Sequence, residues 1–201
     1  GILTDTNQND FVSNIKIQDT SAVVDAAFDT ANASSLAVLN NGKVSEVALV
    51  DSLVPLDLTY AQIIAAGNLT VLDKIPNADF LLNVDDATVS KAFTLQSATV
   101  GQADAADGGL YTYSNNVLTV TVKDTAANVQ AKFATLKDLT KLEAIALNDA
   151  DKLLTFSATT ILQDSSVELL KKITLSPYYL DATSTSMAQL ERLHPLNNSV
   201  I

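Results

Sequence analysis

Apolar and polar residues alternate along two short stretches of the chain, and each stretch leads into a helix-like pattern. Ile15 and Ile17 alternate with polar neighbours, as do Val120 and Val122 in the second half. An alternation of period two predicts a strand with one buried face. Beyond the second stretch, apolar residues recur at spacings of three and four, at Val129, Phe133, Leu136 and Leu139. This spacing predicts a helix with its apolar face on a sheet.

The same change of period recurs further along both halves. An Asp-Thr pair ends each first strand, at 19–20 and 124–125, and is well placed to cap the helix that follows. Alternating strands and helices predict parallel strands joined by right-handed crossovers. The further strands are expected at 44–50, 80–84 and 142–147, and the further helices at 60–75 (with an interruption near Gly67), 88–95, 158–173 and 184–193.

The chain contains an internal sequence repeat. Residues 15–28 align with 120–133 at an offset of 105, with Asp, Thr, Ala, Val and Phe at identical places. The match continues at an offset of 98, which pairs Lys74 with Lys172, and then at an offset of 95, which pairs Asp86 with Asp181. Three blocks in the same order indicate a duplication of roughly 75 to 85 residues per copy.

We therefore predict an α/β fold of two tandem strand-helix repeats, which form a solenoid-like layer with mostly parallel strands. A solenoid unit buries its faces mainly against its neighbours, so we expect flanking repeats of the same chain. The expected segments are an N-terminal lead-in at 1–14, the first copy at 15–97, a connector with a hairpin at 98–117, the second copy at 118–193 and a C-terminal tail at 194–201.

The net charge and the residue composition of the chain exclude several classes of function. The 201 residues carry a net charge of -11, and such a field repels nucleic acids and anionic membrane surfaces. The chain has no Cys and one His, which excludes thiol catalysis, disulfides and zinc sites of the Cys/His kind. No window has the ~18 to 20 apolar residues of a membrane span, so no membrane insertion is expected. Abundant Asp, Asn and Thr without Cys favour an extracellular or bacterial cell-surface location.

The block 120–129, followed by Leu136, Leu139, Leu142 and 145–149, resembles a repeat module of large bacterial surface or type I secreted proteins, of the adhesin or surface-layer-like kind. The resemblance covers both copies and consists mostly of capping and core residues, which specify a fold. It implies a protein or glycan partner at a cell surface. The glycine-rich nonapeptide that binds calcium in toxin-type repeats is missing, and 104–109 comes nearest to it.

Loop carboxylates are the candidate metal ligands. Asp104 and Asp107 lie on one expected loop, and Asp149 and Asp151 on another, as a hard cation requires. Neither loop has the ligand count of an EF-hand, so we expect no resident cofactor, with weak Ca²⁺ binding at these four residues as the alternative to solvated carboxylates. The recurrence of Asp51 as Asp149 at an element boundary favours helix capping.

The remaining candidate functional residues are one histidine and four tyrosines. The single His194 has no nucleophile beside it in the sequence, and no phosphate-binding glycine motif is present. Tyr111, Tyr113, Tyr178 and Tyr179 are candidates for a sugar-binding or protein-binding surface, and packing in the core or on an edge strand fits them equally well.

We therefore predict a non-enzymatic structural or adhesive repeat module of a larger exported bacterial protein. The alternative is a binding or accessory domain of a secreted enzyme that recognises polysaccharide. A small acid hydrolase with paired Asp residues is a more distant third hypothesis, since it needs a cleft with two carboxylates at a fixed separation.

Overall fold

The computed structural model describes residues 14–65, 67–76, 80–97, 116–149 and 152–193. The chain forms two compact units. Among the described residues, the first unit holds those up to Asp85 together with 97 and 116–119. The second unit holds 86–96 and the residues from Val120 onwards.

Single strands or strand pairs are followed by helices along the first half of the described chain. They are β1 (Ile15–Asp19), α1 (Ser21–Ala27), a short 3-10 turn (Thr30–Asn32), α2 (Ala33–Asn40), β2 (Val44–Leu49), β3 (Leu56–Thr59), α3 (Tyr60–Ile64), α4 (Asn68–Leu72), β4 (Leu82–Ala87) and α5 (Val89–Ser97).

The second half gives the same order of strands and helices. They are β5 (Val117–Asp124), α6 (Ala126–Ala131), α7 (Phe133–Leu136), β6 (Leu142–Leu147), β7 (Leu153–Ser157), α8 (Ala158–Ile161), α9 (Asp164–Lys171), β8 (Tyr179–Thr183) and α10 (Met187–Leu193).

The strands form parallel pairs between neighbours in the sequence. The strand orders are β1-β2, β3-β4-β5-β6 and β7-β8. Each pairing whose register is described is parallel: β1 with β2, β3 with β4, β5 with β6, and β7 with β8. The predicted α/β class with mostly parallel strands is confirmed.

The structure differs from the sequence prediction at several elements. Strands β3, β7 and β8 were not predicted, because each has only four or five residues. The helix expected over 60–75 is split into α3 and α4, and Gly67 precedes the second with a φ of 86°. The helix expected over 158–173 is likewise split, into α8 and α9. The strand expected over 80–84 runs from Leu82 to Ala87. The predicted hairpin and the C-terminal tail lie outside the described residues, as does the lead-in except for Asn14.

Each unit has its own apolar core under the strands. In the first unit Leu56 and Leu58 of β3 are fully buried. In the second unit the fully buried side chains include Val122 of β5 and Ile145 of β6. Burial of this kind, at about 25 cal/mol per Å² of apolar area, is the main stabilising term of such a fold.

Candidate functional site

Polar side chains at the turns between strands and helices form hydrogen bonds that cap the helices of the described chain. Thr20 is the N-cap of α1, and its hydroxyl accepts a hydrogen bond from the Val23 N–H. Thr125 caps α6 in the same way and accepts from the Asn128 N–H. These bonds satisfy backbone donors that have no partner within a helix. The predicted capping by the Asp-Thr pairs is therefore present in both halves.

A carboxylate from the neighbouring strand adds a second cap to each of these helices. Asp51 follows β2, and its Oδ1 accepts from the Ser21 N–H at 2.6 Å and the Ser21 hydroxyl at 2.9 Å. Asp149 follows β6, and its Oδ2 accepts from the Ala126 N–H at 3.0 Å. Oδ1 of Asp149 is buried and has no hydrogen-bond partner in the described part of the chain. Both carboxylates therefore cap the helix that follows the adjacent strand.

Asp124 repeats this cross-strand arrangement at an earlier helix, α5. Its Oδ2 accepts from the N–H of Val89, the first residue of α5, at 3.0 Å. Its Oδ1 accepts from the Thr125 N–H at 2.8 Å and from the Asn128 side-chain amide at 2.7 Å. A buried carboxylate with several donors is well stabilised, because charge-assisted hydrogen bonds replace its lost hydration. Asp124 serves as a structural junction.

Only one of the four predicted metal ligands lies within the described residues. Asp104, Asp107 and Asp151 lie outside the described residues, and Asp149 serves as a helix cap. No group of three or more His, Cys, Asp or Glu side chains among the described residues could hold a metal ion. His194 also lies outside the described residues.

Two lysines that match in sequence bind backbone carbonyls. The Lys74 ammonium donates to the carbonyl oxygens of Leu39 at 2.7 Å and Asn41 at 3.0 Å, at the C-terminal end of α2. Burial lowers the pKa of Lys74. The Lys172 ammonium donates to the Leu142 carbonyl oxygen. At the end of α2 the cation of Lys74 satisfies free carbonyls and complements the helix dipole, whereas the acceptor of Lys172 is the first residue of β6. Sequence reasoning noted the lysine match but missed this role.

An acidic cluster in the first unit has a neutral counterpart in the second. Desolvation, together with the charges of Asp57 and Asp29, raises the pKa of Asp25 to about 6, although a hydrogen bond from the Asp57 backbone N–H acts in the opposite direction. In the second unit Gln130 accepts from the Thr155 backbone N–H at 2.7 Å. A helix side chain thus holds the backbone of a neighbouring strand in both units. Only the first arrangement carries charge repulsion.

The aromatic candidates divide between core and surface. Tyr178 is buried, and its hydroxyl donates to the Leu170 carbonyl oxygen at 3.3 Å. Burial raises the pKa of Tyr178 to about 12. Tyr179 is 63% exposed and pairs in register with Leu153, which is also exposed. Tyr111 and Tyr113 lie outside the described residues. Tyr179 alone of the four is placed on a described surface.

A shallow apolar cleft lies in the second unit between α7 and α9. Its volume is about 200 Å³, and Leu136, Leu139 and Leu169 line its apolar wall. Sites for small molecules generally measure roughly 300 to 1,000 Å³ and combine such a wall with convergent polar groups. At this cleft the Lys172 ammonium is already bound to a backbone carbonyl. The cleft is therefore a weaker candidate than the capped turns.

Comparisons with known proteins supply no relative. No protein-family model, no curated protein and no solved structure matches the chain. Within the described residues, no helix is both long and apolar enough to cross a membrane.

Proposed function

We propose that this chain is a non-enzymatic structural or adhesive repeat module of a larger exported bacterial protein. In this proposal two tandem α/β repeats form a solenoid-like layer, and the recurrent Asp residues hold that layer together. The observation that carries the proposal is the matching set of strand-end carboxylates, Asp51 and Asp149, each bound to the first N–H of a neighbouring helix.

Matched backbone hydrogen bonds support the repeat. The Val47 N–H donates to the Lys74 carbonyl oxygen at 2.9 Å, and the Ile145 N–H donates to the Lys172 carbonyl oxygen at 2.8 Å. The two bonds are related by an offset of 98 at both ends. The two halves therefore share contacts between a strand and a loop as well as the order of strands and helices. Repeat proteins place equivalent contacts at a fixed period.

The distribution of charge supports a structural role. Asp19, Asp51, Asp124 and Asp149 are bound to backbone N–H groups, which makes capping sufficient to explain these four residues. The scarcity of Arg and the absence of Cys suit an exported protein. An acidic surface also keeps a densely displayed protein soluble.

The exposed pair Tyr179 and Leu153 favours one alternative, a polysaccharide-binding accessory domain of a secreted enzyme. An exposed aromatic ring offers a flat apolar face with a polar hydroxyl, which suits both sugars and proteins. The test is a glycan array probed with the purified chain. Saturable binding that Tyr179→Ala abolishes would favour this alternative, whereas Leu53→Ala, at another exposed site, serves as the control.

Surface display tests the main proposal. The chain is placed between a bacterial surface anchor and a terminal epitope tag, and the matched variant carries Asp51→Ala with Asp149→Ala. A structural module keeps the tag through protease treatment, and the variant loses it faster because its helix caps are missing. An adhesive module also raises retention of the cells on protein-coated or glycan-coated surfaces. Equal protease loss in both strains without added retention, or catalytic turnover by the purified chain, would overturn the proposal.

A further inference from the structure

The last helices of the two halves, α5 and α10, occupy equivalent positions. In α5 the Lys91 N–H donates to the Thr88 hydroxyl at 3.4 Å. In α10 the Gln189 N–H donates to the Ser186 hydroxyl at 3.3 Å. The hydroxyl residues of the two caps are 98 residues apart in the sequence, and so are the two N–H donors, so the residues of the two helices can be matched one by one.

The matched residues differ sharply in exposure. Val89 and Ala92 of α5 are 3% and 1% exposed. Their counterparts in α10, Met187 and Leu190, are 76% and 53% exposed. Large apolar side chains at these two positions are therefore open to solvent on α10, where the equivalent face of α5 is covered. Contiguous exposed apolar residues commonly mark an interaction surface.

Helix α5 is bound at its first residue to the strand that follows it in the chain. Helix α5 and strand β5, from Val120 onwards, belong to the same compact unit, and Asp124 of β5 binds the first N–H of α5. In the first unit, β1 matches β5, yet Ile15 and Ile17 are only half-buried where Val120 and Val122 are buried. No helix equivalent to α5 belongs to the first unit within its described residues.

We propose that α10 of one copy of this chain docks on β1 of a second copy, head to tail, in the way that α5 lies against β5. The inference rests on the proposed repeat, because the matching of α10 to α5 supplies the geometry. Asp19 matches Asp124, and its Oδ1 accepts from the Thr20 N–H at 2.9 Å, as the Oδ1 of Asp124 does from Thr125.

The chemistry of the two surfaces sets how the association behaves. Met187 and Leu190 provide apolar area on α10, and Ile15 and Ile17 provide it on β1. Each copy carries a net charge of -11, so the copies repel one another at low ionic strength. Association therefore strengthens as salt is added. A head-to-tail contact leaves one free surface at each end, so the assembly grows beyond a dimer with concentration.

Disulfide trapping tests the geometry, because the natural chain has no Cys. Within the first unit the Thr119 hydroxyl donates to Asn83 Oδ1 at 2.8 Å, so the variant Asn83→Cys with Thr119→Cys provides an internal control disulfide. The matched positions are Asn14 and Asp181. Chains carrying Asn14→Cys are mixed with chains carrying Asp181→Cys and oxidised mildly. The negative control replaces Asn14→Cys by Leu53→Cys at another exposed position.

The proposal predicts a disulfide-linked pair from the Asn14→Cys and Asp181→Cys mixture, at least tenfold above the Leu53→Cys control. A chain carrying both substitutions gives a series of larger multimers. If only the internal control disulfide forms, the register of the repeat stands and the docking proposal is overturned. If neither disulfide forms, the matching of the two halves is wrong, and the docking inference falls with it.

Sedimentation of the full chain from micromolar to millimolar concentration gives an independent readout. Met187→Asp with Leu190→Asp is expected to weaken association about tenfold or more, because two apolar contacts are replaced by buried charges. The matched control is Leu53→Asp, which adds the same kind of charge at a site that is 87% exposed and outside the proposed contact. A monomeric natural chain at all salt concentrations, or equal weakening by the control, would overturn the proposal.

Discussion

The first residue of helix α1 differs from that of α6, and this difference offers a direct test of the capping argument. Ser21 donates both its N–H and its hydroxyl to the carboxylate of Asp51. Ala126 donates only its N–H to Asp149, whose second oxygen is buried without a partner in the described chain. Ala126→Ser would bring a hydroxyl to this carboxylate, and Ser21→Ala would remove the existing one.

The expected magnitudes follow from the chemistry of a hydrogen bond to a carboxylate. Such bonds contribute about 1.5 to 3 kcal/mol, but Asp51 retains the Ser21 N–H, so Ser21→Ala should lower the free energy of unfolding by about 1.5 kcal/mol. Ala126→Ser should raise it by about 1 kcal/mol, since the new hydroxyl loses hydration and rotamer freedom. In a unit of about 100 residues, 1 kcal/mol corresponds to roughly 4 to 8 °C in Tm.

Urea unfolding followed by circular dichroism measures both changes, with the slope of each transition checked against the natural chain. Ser21→Ala should affect the transition of the first unit, and Ala126→Ser that of the second. The control is Ala126→Ser combined with Asp149→Ala, in which the gain should vanish. A gain that survives without Asp149, or no gain in its presence, would refute the capping argument.

Three further predictions concern charge, backbone strain and calcium. The pKa of Asp25 is raised from 3.8 to about 6, so the folded chain binds an extra proton between these values and loses stability as the pH rises through them. Asp25→Gln should therefore raise the free energy of unfolding by about 1 kcal/mol at pH 7 and by almost nothing at pH 4, as measured by urea titration. Gly67→Ala should lower Tm by several degrees because Gly67 has a φ of 86°, whereas Gly42→Ala, with open space around it, should not. Thermal unfolding in EDTA and in millimolar CaCl2 should give equal midpoints, and a rise with calcium that Asp149→Asn removes would contradict the capping role of Asp149.

Sequence periodicity predicted the elements whose buried face spans several residues. Strand β1 has two alternating isoleucines that align with Val120 and Val122 of β5, and helix α6 begins directly after an Asp-Thr pair, so the pattern together with the repeat was sufficient there. Strand β3 offers only Leu56 and Leu58 between a turn and the Thr59 cap of α3. Two apolar residues fit a strand, a turn or the start of a helix equally well, and the neighbouring strand decides among them.

The alignment of the last strands shows a second limit of sequence reasoning. Identity placed Asp86 opposite Asp181, at an offset of 95. The parallel pairing instead matches Leu82 with Leu180, at an offset of 98. Asp86 then corresponds to Ser184, and both residues have a positive φ, of 58° and 56°. The shared positive φ is stronger evidence for the correspondence than three identical residues, because few side chains adopt that backbone conformation.

The cross-strand carboxylates explain why the candidate site could be recognised only in part. Parallel strands end at the same edge of a sheet, so a side chain at the end of one strand reaches the helix that leaves its neighbour. Asp51, Asp124 and Asp149 each cap a helix that begins at least 20 residues earlier in the chain. A local reading assigns each Asp to its own turn. The structure instead places each carboxylate at the helix that leaves the neighbouring strand earlier in the chain, so every cap joins two segments that are distant in the sequence.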